Sequence, residues 1–182
     1  AHFWKSAPLN SDKHARITDL GFKMRSAATP LADMPGQADS RLRRYLGYNM
    51  KRAYYEIQTE LSQALKPLGL KVGSFAVLSA IVDSPGLKQS ALAQALAIEQ
   101  ANLVQLVDEF EARGLVKRER ASTDRRAYAL FATRNGIELQ RQADAICTQL
   151  EAGFLAGCPE EDVARLHKLL QHIEMTLKGR RP

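Results

Sequence analysis

The chain has 182 residues, 45% of them apolar and 25% charged, which is enough for one compact domain, or a domain with appended segments, around a real core. Lys and Arg outnumber Asp and Glu by 26 to 20, and the net charge of +6 favours a polyanionic partner. The longest strong apolar run, Phe75 to Val82 with Ser79 inside it, falls far short of the roughly 18 residues that cross a bilayer, so no membrane partner is expected.

Residues 1–39 read as an N-terminal extension, with Pro8, Pro30, Pro35 and Gly36 bracketing a short helix from about Asp12 to Met24. Ala1 to Asn10 carries His2, Trp4, Lys5 and Pro8 where an export signal would have an apolar centre. From Asp39 and Ser40, natural N-cap residues, the apolar side chains fall at Leu42, Leu46, Met50, Ala53, Ile57, Leu61, Ala64 and Leu65, a spacing that predicts one long amphipathic helix. Pro67 and Gly69 end it. A second helix turns Phe75, Leu78, Ile81 and Val82 inward and stops at Ser84-Pro85-Gly86, and a third carries Leu92 and Leu96 among small alanines. The fourth, from about Glu99 to Arg113, gathers Leu103, Leu106, Val107 and Phe110 on one face before Gly114 supplies a C-cap.

Leu115 to Arg120, the polar corner Ser122-Thr123-Asp124-Arg125 and the alternating Tyr128, Leu130 and Ala132 read as a β-hairpin. Thr133 caps a fifth helix with Leu139, Ala143, Ile146 and Leu150 on a stripe, and a sixth from about Pro159 carries Val163, Leu166, Leu170, Ile173 and Leu177. The expected fold is mainly α with a small β-hairpin wing: a winged helix-turn-helix DNA-binding lobe at 67–133, and a long helical dimerisation lobe at 40–66 and 134–178.

Three short helices followed by a hairpin is the arrangement in which the last short helix enters a major groove. With Leu103 at the centre of the buried face, 100 degrees per residue sends Ala101, Asn102, Val104, Gln105 and Asp108 to the outer half, with Glu99 and Gln100 at the tip. Asn and Gln bond adenine edges in pairs and small methyls touch thymine, so an A/T-rich half-site is expected. Glu99 is either a helix-start charge that suits the dipole or an acceptor for cytosine N4. Ser90 and Gln94 on the third helix join Gln100, Ala101, Asn102 and Gln105 as candidate DNA contacts. Between Arg113 and Arg141, Arg113, Lys117, Arg118, Arg120, Arg125, Arg126, Arg134 and Arg141 face only Glu119, Asp124 and Glu138. That surplus beside the reading helix can neutralise phosphates and reach a narrow minor groove, with Arg118, Arg120 and Arg125 as candidates.

Leu92-Ala93-Gln94-Ala95-Leu96, Leu106-Val107-Asp108 with Gly114-Leu115-Val116, and above all Asp124-Arg125-Arg126, resemble the signature of MarR-type winged helix-turn-helix transcriptional regulators over about residues 40–178. The resemblance implies that Arg126 pairs with Asp124 to shape the wing and that Arg125 enters the minor groove. The chain departs from the family's pattern at Glu99, Gln100 and Gln105, where Ser, Thr and Arg are common, so the base preference does not carry over.

The apolar stripes of the first, fifth and sixth helices exceed what one small lobe covers, and a symmetric homodimer is the natural solution. The resemblance implies the same, with reading helices about one DNA turn apart on a pseudo-palindromic operator in double-stranded DNA. The extension at 1–39 would widen the dimer contact. Relatives of this type are often repressors released by a small aromatic or phenolic compound. Tyr45, Tyr48 and Tyr55 with Arg44 and Arg52 offer aromatic walls and cationic partners for an aromatic acid or its thioester; the other reading of that stripe is dimer core with surface arginines.

Thiol oxidation is the alternative switch, and Cys147 and Cys158 are the two cysteines available. Cys147 falls on the buried stripe of the fifth helix and Cys158 in a loop without adjacent basic residues, neither of which suits a sensor. Two cysteines without CxxC spacing point to a reducing cytoplasm. The histidines are scattered, His167 and His172 point about 140 degrees apart on a helix, and no metal or cofactor is expected. No nucleophile elbow, carboxylate pair or phosphate loop supports an enzyme. A helical interaction adaptor that no longer binds DNA is the remaining alternative.

Overall fold

The computed structural model describes residues 39–121 and 124–180, with the side chains of 121 and 124–127 outside the description. The extension and its expected helix at 12–24 therefore lie outside the described residues, as do Ser122 and Thr123. The chain divides into two compact units, 1–45 and 46–182.

In the first unit, the carbonyl of Asp39 accepts from the backbone N–H of Leu42 at 2.8 Å and of Arg43 at 3.1 Å, and the Asp39 carboxylate pairs with the Arg43 Nε at 3.1 Å. A single 3-10 turn, Leu42–Arg44, follows, and Tyr45 is extended at φ −94° and ψ 126°. The helix expected from residue 40 thus starts only at Leu46. The local bonds to Asp39 satisfy the backbone as a turn, and the extended Tyr45 interrupts the helical path that the apolar spacing alone suggested.

The second unit runs α1 (Leu46–Leu65), α2 (Val72–Asp83), β1 (Leu87–Lys88), α3 (Gln89–Ala95), α4 (Gln100–Ala112), β2 (Val116–Ala121), β3 (Asp124–Ala132), α5 (Arg134–Phe154) and α6 (Glu160–Lys178). The sheet is antiparallel in the order β1-β3-β2, with Leu87 opposite Leu130 and Arg118 also opposite Leu130 on the other side. The expected hairpin is present, and β1 makes it three-stranded. At two residues, β1 is too short to alternate, so its sequence carries no strand pattern.

One core joins α2, α3, α4, the sheet and α5. Val77, Leu78 and Ile81 of α2, Leu92 of α3, and Leu103, Val107 and Phe110 of α4 meet Leu130 of β3 and Ala143 of α5. These three α4 positions recur at spacings of four and three, which seats the helix by one face. Leu65 closes the core from α1, whereas the other end of that helix leaves Leu46, Met50, Tyr54 and Tyr55 exposed.

The C-terminal ends of α3 and α4 are both shaped by left-handed residues. After α3, Ala97 has φ 51°, its N–H bonds the Gln94 carbonyl at 3.3 Å, and the Ile98 N–H bonds the Ala93 carbonyl at 3.0 Å. After α4, Gly114 has φ 66°, with the matching bonds Gly114 to Glu111 at 2.9 Å and Leu115 to Phe110 at 2.8 Å. Both are Schellman closures, for which glycine is the unstrained residue. Among the described residues no single helix is long and apolar enough to cross a membrane.

Candidate nucleic-acid interface

Because Leu103, Val107 and Phe110 fix α4 to the core, the opposite face is left to solvent. Gln100, Ala101, Asn102, Val104, Gln105 and Asp108 are all exposed there, and Glu99 takes the N-cap position without a side-chain bond to the helix. Ser90 and Gln94 are exposed on α3. A groove of about 690 Å³ runs between the start of α3, the outer face of α4 and the wing, lined among others by Lys88, Ser90, Gln100, Val104, Asp108 and Tyr128. It brings Ser90 and Gln100 together. Lys88 and Tyr128 belong to it although the sequence reading omitted them; both sit on strands, where helical periodicity says nothing about exposure.

The cations beside α4 are less free than their number suggests. Arg113 donates to the carbonyls of Gly69 and Leu68 and lies 3.7 Å from Glu109. Lys117 pairs with Glu119 at 2.5 Å and sits 5.5 Å from the centre of the Phe131 ring. Arg141 pairs with Glu138 at 2.7 Å; that guanidinium first, and then the Gln142 amide, hold the Glu138 carboxyl down at about 2. Arg118 is bound to Asp108 at 2.6 Å and to Glu111. Arg120, across from Tyr128 in the β2–β3 register, is exposed and makes no ion pair among the described residues, as is also true of Arg134. Asp124, Arg125 and Arg126 open β3, their side chains lying outside the description.

For the expected effector site, α1 carries Tyr48 half-buried and Arg52 and Tyr55 exposed, at spacings of four and three that align them on one side of the helix. The Tyr54 hydroxyl, also exposed, accepts from the Gln58 amide at 2.7 Å. Tyr45 lies in the first unit, where its hydroxyl accepts from Arg44 at 2.9 Å and its ring lies 5.0 Å from that guanidinium carbon. Neither the groove beside α4 nor a second one of about 490 Å³ between Arg113 and Leu139 is lined by Tyr48, Arg52 or Tyr55.

Cys147 is half-buried on α5, and burial, then the charges of Asp144 and Glu151, push its thiol up to about 11. Cys158 is exposed. His167 lies 4.0 Å from Glu151 and, like His172, is exposed. Among the described residues no group of three or more His, Cys, Asp or Glu could hold a metal ion.

Residues 68–127, which span α2 to the wing, match the model of the MarR family. A protein of Thauera aromatica named for transcriptional regulation of the hcr operon is 27% identical over 129 residues, covering 70% of this chain and 78% of that protein. A MarR-family transcriptional regulator from Rhodococcus sp. RHA1 superimposes with a TM-score of 0.67 at 30% identity, over 72% of this chain and 94% of that one. The transcriptional repressor CouR bound to a 23-mer DNA duplex gives a TM-score of 0.70 at 28% identity, over 75% of this chain and 96% of that one. CouR from Rhodococcus jostii RHA1 bound to p-coumaroyl-CoA gives 0.66 at 29%, over 72% and 93%.

Proposed function

This chain belongs to the MarR family of transcriptional regulators, and we propose that it is a homodimeric repressor released from a pseudo-palindromic operator by a small aromatic or phenolic acid or its thioester. We read it as a regulator and not as an enzyme, acting in the cytoplasm where bacterial-type operators lie. The observation that carries the reading is the outward row Gln100, Ala101, Asn102 and Gln105 on a helix held by its other face and flanked by a wing. In this reading α4 enters the major groove, Ser90 and Gln94 face the backbone, and Arg120, Arg125 and Arg126 serve the wing, with Asp124 shaping it.

Support for the dimer comes from α6. It is 19 residues long and buries none of them, while Leu166, Leu169, Met175 and Leu177 are exposed along it. Phe154 at the end of α5 and Met50, Tyr54 and Tyr55 on α1 are exposed as well. Apolar surface of that extent on a regular helix is stable in water once a second copy covers it. An aromatic thioester suits Tyr48, Arg52 and Tyr55, by analogy with CouR and its bound p-coumaroyl-CoA, and a second copy would complete the walls that one chain lacks.

Thiol sensing through Cys147 is less favoured, because a thiol held at about 11 is almost wholly protonated at neutral pH and a poor nucleophile. The test is selection from a pool of random duplexes at near-physiological salt, with the mass of the free protein measured by sedimentation. Enrichment of a palindrome by a dimer supports the proposal. No enrichment at any salt concentration would overturn it and leave the adaptor reading.

A further inference from the structure

Arg118 lies in the middle of the basic cluster, and by charge alone it is a phosphate contact. Its surroundings give it different work. The side chain is only 16% exposed. One terminal nitrogen, Nη1, donates to the Glu111 carboxylate and forms an ion pair with the Asp108 carboxylate at 2.6 Å. The other, Nη2, donates to the carbonyl of Val104 at 3.3 Å, and Nε donates to the Gln89 side-chain oxygen at 3.3 Å. The backbone N–H of Arg118 adds a bond of 2.8 Å to Glu111.

Three of the five guanidinium N–H groups therefore donate hydrogen bonds, and Asp108 adds an ion pair at Nη1. Val104, Asp108 and Glu111 are spaced four and three apart, so Arg118 grips a single ridge of α4 from β2 and touches the start of α3 at Gln89. Two carboxylates around one guanidinium leave the cluster with one surplus negative charge, which repels a phosphate. Asp108 is 59% exposed on the side of α4 that faces the groove; without Arg118 its charge would stand unopposed there.

We infer that Arg118 is a positioning residue for DNA recognition, which sets the wing against the reading helix and masks Asp108 without itself touching DNA. The inference rests on the DNA-binding reading above. A planar guanidinium suits this because it meets several acceptors at fixed angles, which a lysine ammonium does not.

The decisive variant is Glu111→Gln in the full chain, tested with the duplex that wild type enriches from a random pool and with a scrambled duplex of the same composition. If Arg118 positions the wing, loosening its anchor weakens binding to the enriched duplex at least threefold, although a negative charge has been removed, while binding to the scrambled duplex holds. If Arg118 contacts phosphate, losing that charge leaves binding equal or tighter, and the inference is overturned. Arg118→Lys and Arg118→Met give the second arm. Positioning predicts that both weaken the enriched duplex at least tenfold with the same salt slope. A lysine variant that binds like wild type, with a slope that drops by about 0.9 only in the methionine variant, marks a phosphate contact and overturns the inference.

Hydrogen exchange of the free protein keeps the test independent of DNA. Glu111→Gln and Arg118→Met should each speed exchange of the β2 amides at least threefold at an unchanged melting temperature for Glu111→Gln. Should wild type enrich no duplex, the DNA-binding reading fails, and unchanged β2 exchange in both variants would overturn the link between wing and helix as well.

Discussion

The Arg113 guanidinium donates to the carbonyl of Gly69 at 2.8 Å and to that of Leu68 at 3.2 Å, so the C-cap residue of α4 is tied to the turn that closes α1. α4 is thereby fastened to the helix that carries Tyr48, Arg52 and Tyr55. Arg113→Met should cost about 1–2 kcal/mol of stability, the range for charge-assisted bonds at a partly exposed site. Urea unfolding measures it. A variant as stable as wild type would mean that water replaces Arg113 at those carbonyls without loss.

Gly136, in the first turn of α5, approaches the end of α4 so closely that a Cβ there would lie 2.0 Å from the Leu115 carbonyl oxygen. Thr133 draws the two together: its hydroxyl accepts from Gly136 N–H at 3.1 Å and donates to the Gly114 carbonyl at 2.7 Å. Gly136→Ala should destabilise by more than about 3 kcal/mol, because backbone and not a flexible side chain must move. Thr133→Ala, which loses a cap without a clash, should cost about 1 kcal/mol. Thermal unfolding of the pair gives the comparison, and an alanine at 136 that costs no more than the one at 133 would contradict the packing.

Ala97 holds the left-handed position of the turn between α3 and α4. Ala97→Gly relieves that strain, offset by the greater freedom of glycine in the unfolded chain, and should stabilise by about 0.5–1 kcal/mol. A fall in melting temperature would show that the alanine methyl makes packing contacts worth more than the strain.

Cys147 gives a pH dependence with a definite sign. Its thiol is raised to about 11 in the fold, against about 8.5 for a free cysteine. Over that interval the folded chain binds the extra proton, so its contribution is complete below about 8.5 and is lost as pH rises through 11. Cys147→Ala should therefore show a shallower alkaline fall in stability than wild type. At pH 8 iodoacetamide should leave Cys147 unmodified in the native protein, and peptide mapping that found it alkylated would reverse the assignment.

The sequence made the buried face of α4 legible because Leu103, Val107 and Phe110 repeat with the helix, and made its end legible because Gly114 stands where a left-handed residue is needed. Thr133 capped α5 as its chemistry required. The start of the first helix is not legible in this way, since apolar spacing at Leu42 and Leu46 says nothing about the turn that Asp39 builds. Arg118 shows the larger gap: Asp108 and Glu111 are on a helix and Arg118 on a strand, and a charge count contains no pairings. The stripe of α6 was also readable, but that none of its residues is buried within one chain is visible only in three dimensions.

The measurement that bears most directly on α4 as the reading element is the base preference of Gln105→Ala beside wild type, taken from the same random pool at matched salt. Reading by the outer face of α4 predicts that one base step in each half-site is relaxed by about 1–3 kcal/mol while the salt slope stays the same. An unchanged preference at every position would contradict it.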